Sequence, residues 1–296
     1  MKIILAHGSV ETSCEPQYLT ALQQAALIGS YQSAAGLLAA VEATVIRLED
    51  DPLFNAGYGS VLNHDGEVEM DAAIIDGATG RCGAVAALQR VRNPVSVARQ
   101  VLEKTSHVLL AGNGALRFAR NMGFADYDPV VELQQAAWEA AMRERQAGRE
   151  PDYSLFTGLP KACDTVGCVA LDNGRLAAAS STGGSFLKLP GRIGDTGVIG
   201  GGIYANRLGA VVCTGLGEAF IRKHIAGWVI DQLEQGHSVK ETARAAIAQI
   251  TEQGAAGGIL VLDQHGSYAA CHNATSFPVA LALDGVIVDD FTPERV

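Results

Sequence analysis

The chain has 296 residues, 48% hydrophobic and 18% charged, and carries a net charge of −10 at pH 7. This length accommodates one large domain or two small ones, and a negative field of this size repels phosphate backbones and excludes nucleic-acid binding. No Lys/Arg cluster offsets the charge, and no window reaches the apolar length of a membrane span, so the sequence predicts a soluble cytoplasmic protein without a membrane partner.

The amino-terminal run Met1-Lys2-Ile3-Ile4-Leu5-Ala6-His7 is too short for a signal peptide, and residues 3–6 read as a buried strand. Residues 17–27 and 32–48 read as helices; Leu37, Leu38, Val41, Val45 and Leu48 recur at helical spacing until Pro52. Short strands are predicted over 60–62, 68–72 and 84–88, a helix from Asn93-Pro94 to about 102, a strand over 108–111 and a helix over 114–122. From about 127 to 164 the character turns polar. A helix over 134–146 leads into Ala147-Gly148-Arg149-Glu150-Pro151-Asp152, which reads as an exposed linker with a loose tail. Strands follow over 167–171, 176–181 and 210–214, helices over about 219–234 and 238–250, and strands over 258–262, 267–271 and 286–288. Strands cluster in both halves and helices come in consecutive pairs. That is not the alternation of a parallel doubly wound sheet; it fits an α+β protein with two sheets packed face to face and helices outside.

Six cysteines (Cys14, Cys82, Cys163, Cys168, Cys213, Cys271) include no C-x-x-C pair and read as small buried thiols of a reducing compartment. The seven histidines show no metal-ligand spacing. The Gly-rich stretch 194–202 lacks the strand–glycine–helix order and the lysine of a phosphate loop.

Chemistry concentrates in four places. Thr165 opens the run Thr165-Val166-Gly167 directly after the linker. Ser180-Ser181-Thr182-Gly183-Gly184 and Thr214-Gly215-Leu216-Gly217-Glu218 follow, with Arg192 and Asp195 between them in a Gly-rich turn. A hydroxyl is a poor nucleophile. On a residue whose own α-amine is exposed it has a built-in base, since such an amine has a pKa of about 7.7–8.0. A cut before Thr165 therefore makes nucleophile and base in one step. A Thr hydroxyl beside a Gly N–H supplies two donors for an oxyanion. Arg192 and Asp195 suit the two charged ends of an amino acid, guanidinium to carboxylate and carboxylate to ammonium; an internal peptide bond offers neither end.

These stretches, with Leu48-Glu49-Asp50-Asp51-Pro52-Leu53-Phe54-Asn55-Ala56-Gly57-Tyr58-Gly59-Ser60-Val61, Glu69-Met70-Asp71-Ala72, Gly83-Ala84-Val85-Ala86, Arg92-Asn93-Pro94 and Lys188-Leu189-Pro190-Gly191-Arg192-Ile193-Gly194-Asp195, resemble the plant-type asparaginase/isoaspartyl peptidase family of N-terminal-nucleophile hydrolases. They occur in family order and span most of the chain. The resemblance implies a single four-layer αββα domain over 1–296, made as one precursor and self-cleaved between Asp164 and Thr165. The products are an α subunit, 1–164, and a β subunit, 165–296, that stay together and associate as a dimer of pairs. It implies Thr165 as nucleophile and Thr182 as the threonine that tunes it. Thr214 and Gly215 become the oxyanion hole, Asn55 a neighbour of the nucleophile, and Arg192, Asp195, Gly215 and Gly217 substrate-binding residues. It implies no catalytic cofactor, a small-molecule β-aspartyl substrate, and a structural sodium ion on the backbone carbonyls of Leu48, Glu49, Asp51, Phe54, Ala56 and Tyr58.

Four places depart from the family pattern. His7-Gly8-Ser9-Val10-Glu11 stands where His-Gly-Gly-Ala-Gly is usual, Cys168 where alanine is usual, and Asn273-Ala274-Thr275-Ser276-Phe277-Pro278 where the family has Asn-Thr-x-Gly-Met. Asp164 replaces the glycine common before the nucleophile and resembles the glycosylasparaginase and taspase branches, whereas Leu189-Pro190-Gly191-Arg192 resembles the plant type. The alternatives are therefore a glycosylasparaginase-like or taspase-like hydrolase, or a binding protein that keeps the fold without activity.

Overall fold

The computed structural model describes residues 1–10, 12–149 and 164–296. In chain order its strands are β1 (Lys2–His7), β2 (Met70–Asp76), β3 (Arg81–Leu88), β4 (Leu109–Ala111), β5 (Asp164–Asp172), β6 (Arg175–Gly184), β7 (Ile203–Ala205), β8 (Gly209–Gly215), β9 (Gly257–Asp263), β10 (Tyr268–His272), β11 (Val279–Leu283), β12 (Val286–Ile287) and β13 (Glu294–Arg295). Its helices are α1 (Pro16–Gln32), α2 (Leu37–Glu49), α3 (Pro94–Lys104), α4 (Gly112–Asn121), α5 (Glu132–Gln146), α6 (Gly217–Lys223), α7 (Ile225–Glu234) and α8 (Val239–Glu252). No helix among the described residues is long and apolar enough to cross a membrane.

The strands form two sheets: eight in the order β12-β11-β1-β5-β6-β2-β3-β4 and five in the order β13-β10-β9-β8-β7. Strand alternation sorts the apolar residues by face. Ile4, Ala72, Ile74, Val166, Cys168 and Ala170 of the larger sheet pack with Leu22, Val45, Leu48 and Val101 from α1, α2 and α3. The other face of the same strands, including Ile3, Leu5, Ala73, Ile75, Val169 and Leu171, packs with Val212, Leu260 and Leu262 of the smaller sheet. The smaller sheet's far face, including Val211, Ile259 and Val261, packs with Phe220, Val229 and Ile247 of α6, α7 and α8. Two sheets in contact with helices on their outer sides match the α+β reading. Burying each of the Val, Leu, Ile and Phe side chains among them fully contributes about 1.5–3 kcal/mol.

Several boundaries differ from the sequence expectation. Residues 60–62 form no strand; the Val61 N–H goes to the Asn55 side chain at 2.8 Å instead of a ladder. The helix expected over 32–48 begins only at Leu37, because Ser33–Ala35 is a 3-10 turn and Gly36 takes φ 110. The single helix expected over 219–234 is two, broken at His224, a left-handed residue with φ 53 that its apolar surroundings do not announce. Strands β7, β11 and β13 were not expected. Two of them hold three residues or fewer, and β11 follows directly on Pro278. Helix α5, within the stretch read as a loose linker, is packed: buried Gln134 donates to the Gly59 carbonyl at 3.2 Å. The rest of that linker, 150–163, lies outside the described residues, as does Cys163. Ser238 caps α8 in a capping box with Glu241, the kind of start its sequence advertises.

Cys168, Cys213 and Cys271 are buried, Cys82 is half-buried and Cys14 is exposed. Burial pushes the Cys168 thiol to about 12 and Cys271 to about 11, so neither is a reactive thiolate.

Candidate active site

Thr165 lies near the start of β5, where pairing sets it opposite Thr182 of β6; Thr182 in turn faces Asp71 of β2. Cross-strand partners share a face, so Thr165, Thr182 and Asp71 form a row across three strands. Alternation puts the row on the face turned to the smaller sheet, with Val169, Leu171 and Ala73. All three are buried. The register shifts between Asp164, which pairs with Gly184, and Thr165, which pairs with Thr182, so the extra residue is Gly183 of β6, opposite the peptide bond at which the sequence predicts cleavage. Bulges re-aim side chains and concentrate beside active sites. Asn55 fastens the end of β6. Its Nδ2 donates to the Gly184 carbonyl at 2.7 Å, and its own carbonyl accepts the Gly183 N–H at 2.9 Å. The Thr182 hydroxyl accepts the Gly184 N–H at 2.9 Å.

The exit of β1 joins this row to the smaller sheet. His7, paired in register with Gly167, is fully buried, and neither ring nitrogen reaches hydrogen-bond geometry with a described residue. Burial lowers its pKa to about 3, offset only in part by the adjacent Thr165 backbone, so the ring is neutral at physiological pH. Two residues on, the Ser9 hydroxyl lies 2.8 Å from the Thr214 hydroxyl near the end of β8. Thr214 and Gly215 thus end their strand beside the loop that leaves β1.

The charged pair is built by a loop and a helix. The Arg192 guanidinium forks onto Glu218, Nε to Oε1 at 2.9 Å and Nη2 to Oε2 at 2.8 Å. Asp195 is buried and its Oδ2 has no hydrogen-bond partner among the described residues. Burial raises its carboxyl to about 7; its own backbone N–H and Arg192 pull it down, and Glu218 and Asp71 push it up. Gly217 closes the site between them. A Cβ there would come within 2.8 Å of Asp195 Oδ1 and 3.2 Å of Arg192 Nη2, so only glycine fits. Asp71 fixes the loop from below, accepting the Gly194 N–H at 3.0 Å and the Ala87 N–H at 2.8 Å. Lys188 donates to the Glu69 carbonyl at 2.7 Å, and the Glu69 carboxylate accepts the Gly191 N–H at 2.9 Å.

The loop over 48–58 is wound on its own carbonyls. Glu49 O accepts the Tyr58 N–H at 2.7 Å, Asp51 O the Phe54 N–H at 3.1 Å and Leu48 O the Asp51 N–H at 3.2 Å. The Glu49 side chain is fully buried; Oε1 accepts the Val95 N–H at 3.0 Å and Oε2 makes no aligned hydrogen bond. Burial raises its pKa from 4.5 to about 8, against smaller downward pulls from Ser181, Val95 and Asn93. A carboxyl with a raised folded pKa is protonated in the fold and ionised once unfolded. Stability from it is present below pH 4.5 and drains away as pH rises to about 8. Glu49→Gln keeps the acceptor and removes the titration. Its melting temperature relative to wild type is expected to rise from pH 5 to pH 8, and a constant difference contradicts a neutral Glu49. His7 has the opposite sign, its contribution being lost as pH falls from 6.5 towards 3, and it cancels in this comparison.

A family model described as asparaginase matches residues 3–288. The chain belongs to the asparaginase family. It is thereby a hydrolase, and the match takes in strands of both sheets and leaves out β13. A protein of Thermococcus kodakarensis named plant-type L-asparaginase is 41% identical over 299 residues, covering 97% of this chain and 98% of its own length. The isoaspartyl peptidase/L-asparaginase of Bos taurus is 42% identical over 249 residues, covering 83% of this chain and 80% of its own. The Homo sapiens protein of the same name is 40% identical over 258 residues, with coverages of 86% and 82%.

Within this asparaginase-family chain, Thr165 and Thr182 meet across two strands, with Asn55 fastening the end of β6. Arg192, Asp195 and Gly217 meet at the end of α6. Thr214, with Gly215 next to it, lies 2.8 Å from Ser9, two residues beyond His7 of β1, the strand paired with β5. Three contributors went unassigned in the sequence. Glu218 and Asp71 stand in stretches already quoted for the resemblance, but their hydrogen-bond partners are 26 and 123 residues away. Ser9 was visible only as a departure from Gly.

Proposed function

We propose that this asparaginase-family hydrolase is a self-activating amidohydrolase with Thr165 as nucleophile. The observation that carries the reading is that Thr165 stands at a register shift beside the predicted cut, opposite Thr182 and on the face turned to the sheet that bears Thr214. The succession of helices, sheet, sheet and helices is read as the four-layer αββα sandwich of N-terminal-nucleophile hydrolases. Its α subunit is 1–164 and its β subunit 165–296, and two such pairs associate. Light scattering is expected to give twice the mass of one chain.

Thr165 Oγ attacks the Asp164 carbonyl carbon and the C–N bond breaks. The acyl group moves to oxygen, and water hydrolyses the ester to leave the Thr165 α-amine exposed. In the processed enzyme that amine takes the proton from Oγ as it attacks the side-chain amide carbonyl of the substrate. Thr214 O–H and Gly215 N–H donate to the developing oxyanion, and the amine's proton leaves with ammonia or an amino acid. Water then releases the acyl group. The Arg192 guanidinium, its plane set by Glu218, holds the α-carboxylate, and Asp195 with the Gly217 carbonyl holds the α-ammonium. The relatives' names include isoaspartyl peptidase and L-asparaginase. We assign β-aspartyl dipeptides as preferred substrates, with L-asparagine second. Offering both with glycosylasparagine to processed protein tests this; hydrolysis of glycosylasparagine alone contradicts it.

A carboxylate at Asp195 is required to hold an ammonium group, and its carboxyl sits near 7. Binding of the product L-aspartate, whose amine stays charged between pH 6 and 8, is expected to strengthen as pH rises through about 7, approaching tenfold per unit on the acid side. Calorimetric titration checks this, and a flat profile contradicts the role of Asp195.

The carbonyls of Leu48, Glu49, Asp51, Phe54, Ala56 and Tyr58 are neutral oxygen donors, the class a hard cation takes. The Leu48, Glu49 and Asp51 carbonyls each accept one N–H within the loop and keep a second lone pair. The loop is read as a structural sodium site. Melting is expected at higher temperature in sodium chloride than in tetramethylammonium chloride of equal ionic strength, and equal melting removes the assignment.

A further inference from the structure

We infer that Ser9 is a positioning residue for the oxyanion donor Thr214, one that sets the direction of the Thr214 proton. The inference rests on the assignment of Thr214 to the oxyanion hole. A hydroxyl carries one proton and accepts at two sites. Thr214 is useful to an oxyanion only while that proton points at the reacting centre. The Ser9 hydroxyl lies 2.8 Å from Thr214 Oγ1, with both residues fully buried. The Val10 carbonyl is the poorer acceptor for Ser9, at 3.3 Å. With Ser9 donating to Thr214 Oγ1, an acceptor site of Thr214 is filled and its own proton turns to the substrate side.

The backbone supports this reading. Ser9 has φ 91, a conformation that suits glycine and strains a residue with a Cβ. Its neighbours hold it there. The Gly8 N–H donates to the Pro278 carbonyl at 3.1 Å, and Val10 packs so closely on Gly258, the register partner of Thr214, that a Cβ on that glycine would lie 2.7 Å from Val10 Cγ1. The chain thus keeps a side chain in a glycine conformation, over the end of β8, where that side chain meets one hydroxyl of the site. Strain retained beside a reactive group indicates that the hydroxyl is used.

The test compares wild type, Ser9→Ala, Ser9→Gly, Thr214→Val and the double variant Ser9→Ala/Thr214→Val on a β-aspartyl dipeptide, with rates counted per cleaved chain and melting measured alongside. Ser9→Ala is expected to lower kcat about tenfold with KM within about twofold, less than the loss from removing an oxyanion donor outright. Ser9→Gly is expected to lower kcat equally while melting no lower than wild type, a separation that a packing role does not produce. In the Thr214→Val background, Ser9→Ala is expected to cost nothing further. Wild-type kcat in both Ser9 variants, alongside a loss in Thr214→Val, overturns the inference and leaves the oxyanion assignment standing. Losses that multiply in the double variant also overturn it. Wild-type kcat in Thr214→Val overturns the oxyanion assignment itself.

Discussion

Thr165→Ala is expected to give one uncut chain with amidase activity reduced about 10⁴-fold or more, the scale on which loss of a nucleophile removes its whole catalytic unit. The reason lies in the strand. Thr165 is buried near the start of β5, opposite Thr182, and its neighbour Val166 already faces the helices. No other hydroxyl occupies its place in the row. Burial on both sides of the strand makes the substitution a loss of one hydroxyl and one methyl, so the variant is expected to keep its fold. Denaturing electrophoresis reads the outcome directly. Two fragments from Thr165→Ala contradict the nucleophile assignment.

Arg192→Ala is expected to spare self-cleavage and lower kcat/KM by about 10²–10⁴, because two charged hydrogen bonds to a substrate carboxylate contribute about 1.5–3 kcal/mol each and about 1.4 kcal/mol is tenfold in rate. Glu218 occupies the Nε and Nη2 edge of the guanidinium and so fixes its plane. Arg192→Lys keeps the charge but not that fork, and is expected to fall between wild type and alanine. Separating the two activities is the decisive feature. Self-cleavage acts on the chain's own peptide bond and presents no amino-acid end to the clamp. A variant that loses processing and turnover in equal measure contradicts the clamp.

What the sequence made legible was local. The apolar run after Thr165, the helical spacing from Leu37 to Leu48 and the helix read over 238–250 each gave an element near its observed place. The break at His224 was not legible, since the apolar pattern runs on through a left-handed residue that is not glycine. Pairing was not legible either. β5 lies between β1 and β6, and β6 reaches back to β2, so Asp71 joins the Thr165 row from almost a hundred residues earlier in the chain. The family resemblance assigned roles to residues that match its motifs. It was silent at Ser9, where this chain differs, and at Asp71 and Glu218, which act by holding other groups. Their roles come from distances and burial that only folding produces.

The most direct test of the central claim is amino-terminal sequencing of pure wild-type protein after long incubation. Two amino termini are expected, the second reading Thr165-Val166-Gly167-Cys168. A preparation that yields a single amino terminus, with the chain still whole by mass, contradicts the account.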